Sequence, residues 1–190
     1  MKKIEDLIEV NGKFYEKNKD KPFNGRVEGK AEGSFKNGLP DGNWKEFTDH
    51  VIILSESNYD RGILNGEFLN YFSNGNLKER GYLKRGKLEG ELQVFYNKGK
   101  LKLKQNYKND KEEGVGISFY ENGQIKEKKI YKDGKLEGEY LYYYSNGKLW
   151  IKNNYKEGML HGEREVYFDN GKLEKKERYE KGFNLSRSFH

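Results

Sequence analysis

The sequence predicts an all-β protein: an elongated, twisted antiparallel meander of repeated β-hairpins that forms a single-layer open sheet. Three observations indicate this fold. Glycines recur every 24 residues, each repeat holds two runs rich in Tyr and Phe, and short glycine-containing turns separate the runs. Tyr, Phe and Ile favour strands, whereas a glycine in nearly every turn of a helix would cost about 1 kcal/mol each. Consecutive strands joined by short turns pair antiparallel.

A set of anchor glycines defines the repeat, and we number each repeat from its anchor glycine as position 0. Position 20 carries a second glycine, replaced once by Asp110, and position 9 carries a third, replaced once by Val51. Aromatic residues keep the same phase at position 17, with Leu83 as the exception. So many positions in one register indicate six or more copies of one hairpin. The anchor glycines are Gly42, Gly66, Gly90, Gly114, Gly138 and Gly162.

The repeat also divides the chain. Residues 1–34 break the phase and are predicted to form an atypical N-terminal cap over the first edge of the sheet. Residues 35–182 hold the repeats, and 183–190 are predicted to be a C-terminal tail. A closed barrel is the alternative arrangement, but an open-ended repeat gives no reason to close.

Composition excludes several classes of protein. The 190 residues include 37 Lys and Arg against 31 Asp and Glu, a net charge of +6, and contain no Cys. Disulfides, thiolate metal sites and cysteine nucleophiles are therefore excluded. No apolar run is long enough for a transmembrane helix, and the start has no apolar segment of a signal peptide. We expect a cytoplasmic location by default, or the cell envelope or secretion if a signal was removed beforehand.

Three pairs of stretches share one pattern of turn and aromatic residues: 131–139 with 142–149, 155–163 with 167–173, and 83–91 with 95–101. They resemble the bacterial variant of the MORN repeat. The resemblance covers about 35–182 and implies hairpin ribbons that serve as non-enzymatic scaffolds for proteins or as binders of membrane phospholipid. Bacterial members are often described as antitoxins of toxin–antitoxin pairs. This chain departs from the pattern at 110–113 and at 49–53, which puts the local turn geometry in doubt.

Alternation along the strands predicts two faces. Positions 5, 11 and 17 are odd, so we expect them to share an apolar face that packs neighbouring repeats, provided that no bulge intervenes. The aromatic residues of position 6 point to the other face, which is expected to carry the basic residues of positions 12 and 14 as well. The candidate binding residues on this aromatic and basic face are Phe72, Tyr96, Tyr120, Tyr144, Phe168, Lys78, Arg80, Lys102, Lys104, Lys126, Lys128 and Lys152.

This face permits two interpretations. It could bind an extended anionic surface, such as lipid headgroups, a glycan or an acidic protein. Alternatively, the cations are a solvated surface whose aliphatic stems cover the rings, with lysines that guard the sheet against edge-to-edge association. Nucleic acid is disfavoured, because a phosphate-tracking groove would be interrupted by the many glutamates between the lysines.

Catalysis finds little support. The three histidines, His50, His161 and His190, stand in or next to turns or at the terminus, and none repeats. Zinc-ligand spacing, a serine elbow and a phosphate-binding loop are all missing from the sequence. We therefore predict no enzyme activity, no cofactor and no metal. A unique site would most plausibly lie where the repeat breaks, at Asp49, His50, Asp110, Glu112 and Glu113.

The sequence thus favours a non-enzymatic protein-binding scaffold, with an antitoxin-like role if the family description applies. The alternative is peripheral binding to an anionic membrane or glycan through the aromatic and basic face, with Tyr96, Tyr120 and Tyr144 as the glycan platform. Exposed sheet edges also allow edge-to-edge dimers.

Overall fold

The computed structural model describes residues 1–185, so the predicted tail at 183–190 lies largely outside the described residues. The chain divides into two compact units: residues 1–89 with 97–99, and residues 90–96 with the chain from residue 100 onward. Each unit is built from antiparallel hairpins, which confirms the predicted all-β meander. The predicted boundaries at residues 34 and 182 stay a prediction.

The first unit begins with short, irregular elements and continues with regular hairpins. Strands β4 to β7 pair antiparallel in sequence, as do β9 and β10, while β1 pairs parallel to β4 and β2 pairs only with β3. A single 3-10 turn, Ile4–Asp6, follows β1. The strands are β1 Lys2–Lys3, β2 Leu7–Val10, β3 Lys13–Glu16, β4 Gly25–Glu28, β5 Ala31–Lys36, β6 Leu39–Phe47, β7 Ile53–Asp60, β8 Ile63–Leu64, β9 Gly66–Tyr71, β10 Leu77–Lys84 and β11 Lys87–Leu88.

An aromatic core holds the first unit together. The ring of Phe35 lies 4.8 Å from Phe14 and 4.9 Å from Trp44, between centroids. Gly33 leaves room for Trp44, because a Cβ there would lie 2.4 Å from the indole ring. Much of this core belongs to the predicted N-terminal cap. The buried apolar side chains are Leu7, Phe23, Val27, Ala31, Phe35 and Trp44.

The second unit is a meander in which successive long strands pair antiparallel. Among its described residues no pairing joins β12 to β21, so this sheet is open and does not form the barrel considered above. Its strands are β12 Gly90–Phe95, β13 Leu101–Lys108, β14 Lys111–Phe119, β15 Ile125–Lys132, β16 Lys135–Tyr143, β17 Leu149–Lys156, β18 Met159–Leu160, β19 Gly162–Tyr167, β20 Leu173–Glu180 and β21 Phe183–Asn184.

Two kinds of turn alternate along the repeats. At positions 19 and 20 both residues have positive φ, as in Arg85 at 51° and Gly86 at 77°, which is the type I′ turn that fits the strand twist. At the Ser-Asn-Gly turn only the glycine has positive φ. There Gly75 donates its N–H to the Phe72 carbonyl at 2.9 Å, while the Asn74 side chain accepts from the N–H of Asn76 at 3.1 Å.

Both places where the sequence departs from the repeat keep the turn. Asn109 and Asp110 have φ values of 49° and 68°, so they form the same turn without the glycine. Val51 takes the glycine conformation at φ 63° and donates to Thr48 at 3.0 Å, as Gly75 does to Phe72. The doubt about turn geometry is thereby resolved, at the cost of a β-branched residue in the left-handed region.

Candidate functional site

A β-bulge recurs at the start of the second strand of each repeat. In the first unit the partner of Tyr71 is Leu77, but the partner of Asn70 is Glu79, so the register shifts at Lys78. The same shift follows Leu101, Ile125, Leu149 and Leu173. A bulge inserts one residue and changes the face to which the following side chains point. The bulge residue always occupies position 12.

The bulge corrects part of the predicted division into faces. Directly opposite residues share a face, and Lys104 is opposite Gln93 while Lys152 is opposite Leu141. Position 14 therefore lies with positions 1, 3 and 5, and not with the aromatic residues of position 6. The predicted face mates Arg80, Lys104, Lys128 and Lys152 are on the opposite face.

Position 17 was also assigned to the wrong face. Tyr155 lies opposite the anchor Gly138, and its ring is 5.9 Å from that of Tyr140 at position 2. The tyrosines of position 17 thus lie on the face of positions 0 and 2, away from positions 5 and 11. Those two positions do share a face, as the pair Tyr143 and Leu149 shows.

Positions 6 and 12 form the first surface, which we call the tyrosine face. The Nζ atom of Lys102 lies 5.7 Å from the ring centroid of Tyr96, and that of Lys126 lies 5.9 Å from Tyr120. In the next repeat Trp150 replaces the lysine and stacks on Tyr144, with centroids 5.1 Å apart and planes at 21°. Cation–π contacts of this kind contribute about 0.5–1 kcal/mol at exposed sites.

The tyrosines of this face also join neighbouring repeats, a role that the sequence interpretation missed. Each hydroxyl donates to the backbone carbonyl at position 5 of the next repeat. The bonds are Tyr96 to Phe119 at 2.7 Å, Tyr120 to Tyr143 at 2.6 Å and Tyr144 to Tyr167 at 2.9 Å. Phe72 and Phe168 occupy the same position without a hydroxyl. Tyrosine at one position of three successive repeats was the signal that could have revealed this bond.

Positions 1, 3, 14 and 16 form the second surface, which we call the charged face. Lysine at position 14 pairs with glutamate at position 1 of the same repeat. The Nζ–Oε distances are 2.8 Å for Lys104 with Glu91, 2.9 Å for Lys152 with Glu139 and 2.9 Å for Lys176 with Glu163. The hydrogen bond that Lys152 donates to Glu139 raises the pKa of Lys152. These lysines are therefore largely neutralised within their own repeat.

Position 15 lies opposite position 2, on the face that also carries position 17, and in the second unit it places polar side chains there. Gln105, Asn153 and Glu177 are all buried. Glu177 accepts from Lys175 at 2.9 Å and from Arg164, and these bonds, the first with Lys175, lower its pKa although burial opposes them. Burial works to lower the pKa of Lys129, but the Glu127 charge and Tyr131 outweigh it and raise the value. The charges of Lys129 and Glu177 are thus satisfied locally.

Two half-buried tyrosines show the strongest pKa changes. The Tyr140 hydroxyl donates to Glu127 at 2.9 Å, and burial together with that carboxylate raises the pKa of Tyr140 well above its usual value. Tyr71, at position 5 of its repeat, likewise donates to a carboxylate, Glu56, at 2.8 Å, and burial and Glu56 raise its pKa to about 12. Both hydroxyls donate hydrogen bonds that stabilise the sheet, and neither has a pKa lowered towards neutral pH as a catalytic acid or base would need.

The irregular positions named from the sequence are used in turns. Asp49 forms an exposed ion pair with Lys30 at 2.8 Å, which lowers the Asp49 pKa. Glu113 accepts the N–H of Asp133 at 2.9 Å, as Glu137 does for Glu157 at 2.8 Å. His161 takes the position of these glutamates, and its Nδ1 atom is buried without a hydrogen-bond partner.

Two further observations concern metal binding and membrane spanning. Within residues 1–185 no group of three or more His, Asp or Glu side chains is arranged to hold a metal ion. No helix in that part of the chain is long and apolar enough to cross a bilayer.

A family model described as the MORN repeat variant matches five consecutive segments of the chain. The segments are 64–85, 88–109, 112–133, 136–157 and 160–181. The chain belongs to the MORN repeat family. Successive matches start 24 residues apart, which is the period of the anchor glycines, so each MORN repeat is one hairpin of the structure. No curated protein matches the chain.

Proposed function

We propose that the chain is a non-enzymatic MORN scaffold that binds a protein partner. The observation that supports this function is that polar side chains of one repeat form hydrogen bonds to the next repeat. The tyrosines of position 6 and the carboxylates of Glu113 and Glu137 bond to the next repeat, and thus build a regular surface from equivalent units. Such arrays offer extended surfaces on which partners are recognised.

The test is affinity purification of the tagged full chain from its native host, followed by quantitative mass spectrometry. We expect one protein at a stoichiometric ratio. An antitoxin-like role adds a sharper expectation: the recovered protein should arrest growth when expressed alone and should be neutralised by the chain. Recovery of no stoichiometric protein would count against the scaffold, while a partner without toxicity would remove only the antitoxin role.

The tyrosine face supports a second candidate, peripheral binding to anionic lipid or glycan. Lys102 and Lys126 lie over tyrosine rings, and neither makes an ion pair within the described part of the chain. Trp150 is 36% exposed beside them. A cation next to an exposed aromatic ring suits an anionic headgroup at a membrane interface.

Co-sedimentation with anionic and neutral vesicles, at low and physiological salt, tests this candidate. We expect binding to anionic vesicles that the double variant Lys102→Glu with Lys126→Glu abolishes. Lys108→Glu with Lys132→Glu is the matched control, because it makes the same change in charge at the exposed last residues of β13 and β15. Binding that both double variants weaken equally, or that disappears at physiological salt, would indicate non-specific charge attraction.

A further inference from the structure

One MORN repeat, residues 114–137, differs from its neighbours on the charged face. Position 1 is glutamate in the repeats anchored at Gly90, Gly138 and Gly162, but here it is Val115. Val115 lies opposite Ile130, and Ile117 lies opposite Lys128. We call these four residues, Val115, Ile117, Lys128 and Ile130, the apolar window.

The apolar window is open to solvent at its centre. Val115 is 41% exposed, Lys128 is exposed, and Ile117 and Ile130 are half-buried. Val115 and Ile130 thus take positions that are polar in the repeats before and after, and Ile117 adds a third β-branched apolar side chain to the same face. These apolar side chains form an exposed patch that water solvates poorly.

Replacing the glutamate also deprives Lys128 of its carboxylate. Lys104 and Lys152 are bound to Glu91 and Glu139 at 2.8 and 2.9 Å, whereas Lys128 forms no ion pair within residues 1–185. Glu139 in the adjacent repeat is already held by Lys152. The apolar window therefore combines an unneutralised cation with apolar neighbours.

The cross-strand register gives the window its dimensions. Lys104, Ile117, Lys128, Leu141 and Lys152 lie opposite one another in successive strands. With strands about 4.8 Å apart, Ile117 of the window and Leu141 of the next strand flank Lys128 at about 5 Å on either side. A ligand that places one carboxylate between two apolar groups matches this row in charge and in spacing.

We propose that the apolar window binds a protein segment in which a carboxylate side chain lies between apolar side chains. This inference rests on the proposed scaffold function and names the surface and the chemistry of its partner. A lipid surface suits the window less well, because the lysines of position 14 on either side are already paired with Glu91 and Glu139 and offer a broad anionic surface little free charge, whereas a narrow segment needs Lys128 alone.

The decisive variant is Val115→Glu, which restores the residue found in the neighbouring repeats. It should fold, because Glu at position 1 pairs with lysine at position 14 in three other repeats. The substitution removes the exposed valine from the window and at the same time supplies a carboxylate to pair with Lys128. Trp150→Lys is the matched control, because it restores the lysine of position 12 on the tyrosine face and leaves the window unchanged.

The probe is a library of random peptides displayed on phage and selected on the immobilised full chain. Enriched peptides are synthesised, and their affinities are measured by fluorescence anisotropy. We expect the enriched peptides to share an acidic residue flanked by apolar residues. Val115→Glu should weaken their binding at least about tenfold, and Trp150→Lys should leave it unchanged.

Three results would overturn the inference: no peptide enriched above the bare support, peptides that bind Val115→Glu as tightly as the parent chain, or peptides whose binding only Trp150→Lys disrupts. The last would relocate binding to the tyrosine face and leave the scaffold function intact. Phosphatidylglycerol vesicles serve as a further arm, and vesicle binding lost in Val115→Glu without any selected peptide would assign the window to lipid and overturn the proposal. Failure of the host purification alone would affect the proposed function and not the peptide site.

Discussion

At the scale of single residues, backbone conformation explains the glycine pattern. The glycine of the Ser-Asn-Gly turn has positive φ in each MORN repeat, as at Gly75 with 83°. Val51 holds the same conformation at φ 63° although its side chain is 77% exposed. An L-residue with a side chain costs about 1–2 kcal/mol in the left-handed region. The turn thus tolerates the valine at a cost that burial does not offset.

Val51→Gly is therefore expected to stabilise the protein. Removing the strained side chain gains about 1–2 kcal/mol, and the greater freedom of glycine in the unfolded chain takes back about 0.5–1 kcal/mol. Urea unfolding should show a net increase in the free energy of unfolding. The converse change Gly75→Val should be destabilising, and a Val51→Gly variant less stable than the parent would contradict the argument.

A second residue-scale prediction concerns pH. Burial and the bond to Glu56 raise the pKa of Tyr71 to about 12, whereas an unfolded tyrosine titrates near 10. Because the folded pKa is the higher one, this contribution to stability is present below about pH 10 and is lost as pH rises towards 12. The advantage of the parent chain over Tyr71→Phe in urea unfolding should shrink across that window.

Ultraviolet titration of the tyrosinate band provides the direct measurement. One late-titrating tyrosine should disappear in Tyr71→Phe, and Glu56→Gln should shift it towards the ordinary range by removing the carboxylate. A Tyr71 that titrates near 10 in the folded parent chain would contradict the assignment.

At the scale of the hairpin, the bulge decides which side chains meet. One extra residue at position 12 places Lys104 with Glu91 and leaves Lys102 over Tyr96. Without the bulge both lysines would point to one face, as the sequence alone suggested. Adjacent hairpins are then joined by the tyrosine hydroxyls of position 6.

Tyr120→Phe tests this bond between hairpins. Loss of the 2.6 Å bond from the Tyr120 hydroxyl to the Tyr143 carbonyl should reduce the free energy of unfolding by about 1 kcal/mol, because Phe keeps the ring and its packing. Thermal and urea unfolding provide the measurement. Tyr82→Phe, at a half-exposed ring, is the control and should change little. Equal effects of the two substitutions would show that the hydroxyl does not join the repeats.

At the scale of the whole molecule, the MORN repeats are interchangeable in register. Deleting residues 114–137 joins Glu113 to Gly138 and keeps every position in phase. The bond from Tyr96 would then reach the Tyr143 carbonyl in place of Phe119. Repeat arrays gain stability from contacts between neighbouring repeats, so the loss of one repeat should leave a folded protein.

We expect the deletion variant to unfold cooperatively in urea with a smaller m-value, because less surface becomes exposed. It should also lose the peptides selected on the apolar window. Deletion of residues 138–161 is the matched control, since it removes the same length and keeps Val115 and Lys128. Loss of cooperative unfolding in both variants would mean that the repeats are not equivalent units.

The sequence by itself determined the period, the hairpin and the turns. Glycines in phase and aromatic runs act locally, and local backbone preference is readable from residue type. It also identified the position 6 tyrosines as one set. The MORN match confirms the family that these residues indicated.

The tertiary structure decided which face each side chain joins. A bulge adds one residue opposite the partner strand, and cross-strand pairing alone reveals it. From Lys104 onward in β13, the one inserted residue reverses the face to which each side chain points. Lys104 was predicted to lie with the tyrosines of position 6, but it forms an ion pair on the charged face. The same pairing set Lys128 opposite Ile117 and diagonal to Val115, where the sequence pattern shows only one missing glutamate. A register shift of one residue reverses the faces because the side-chain period of a strand is two.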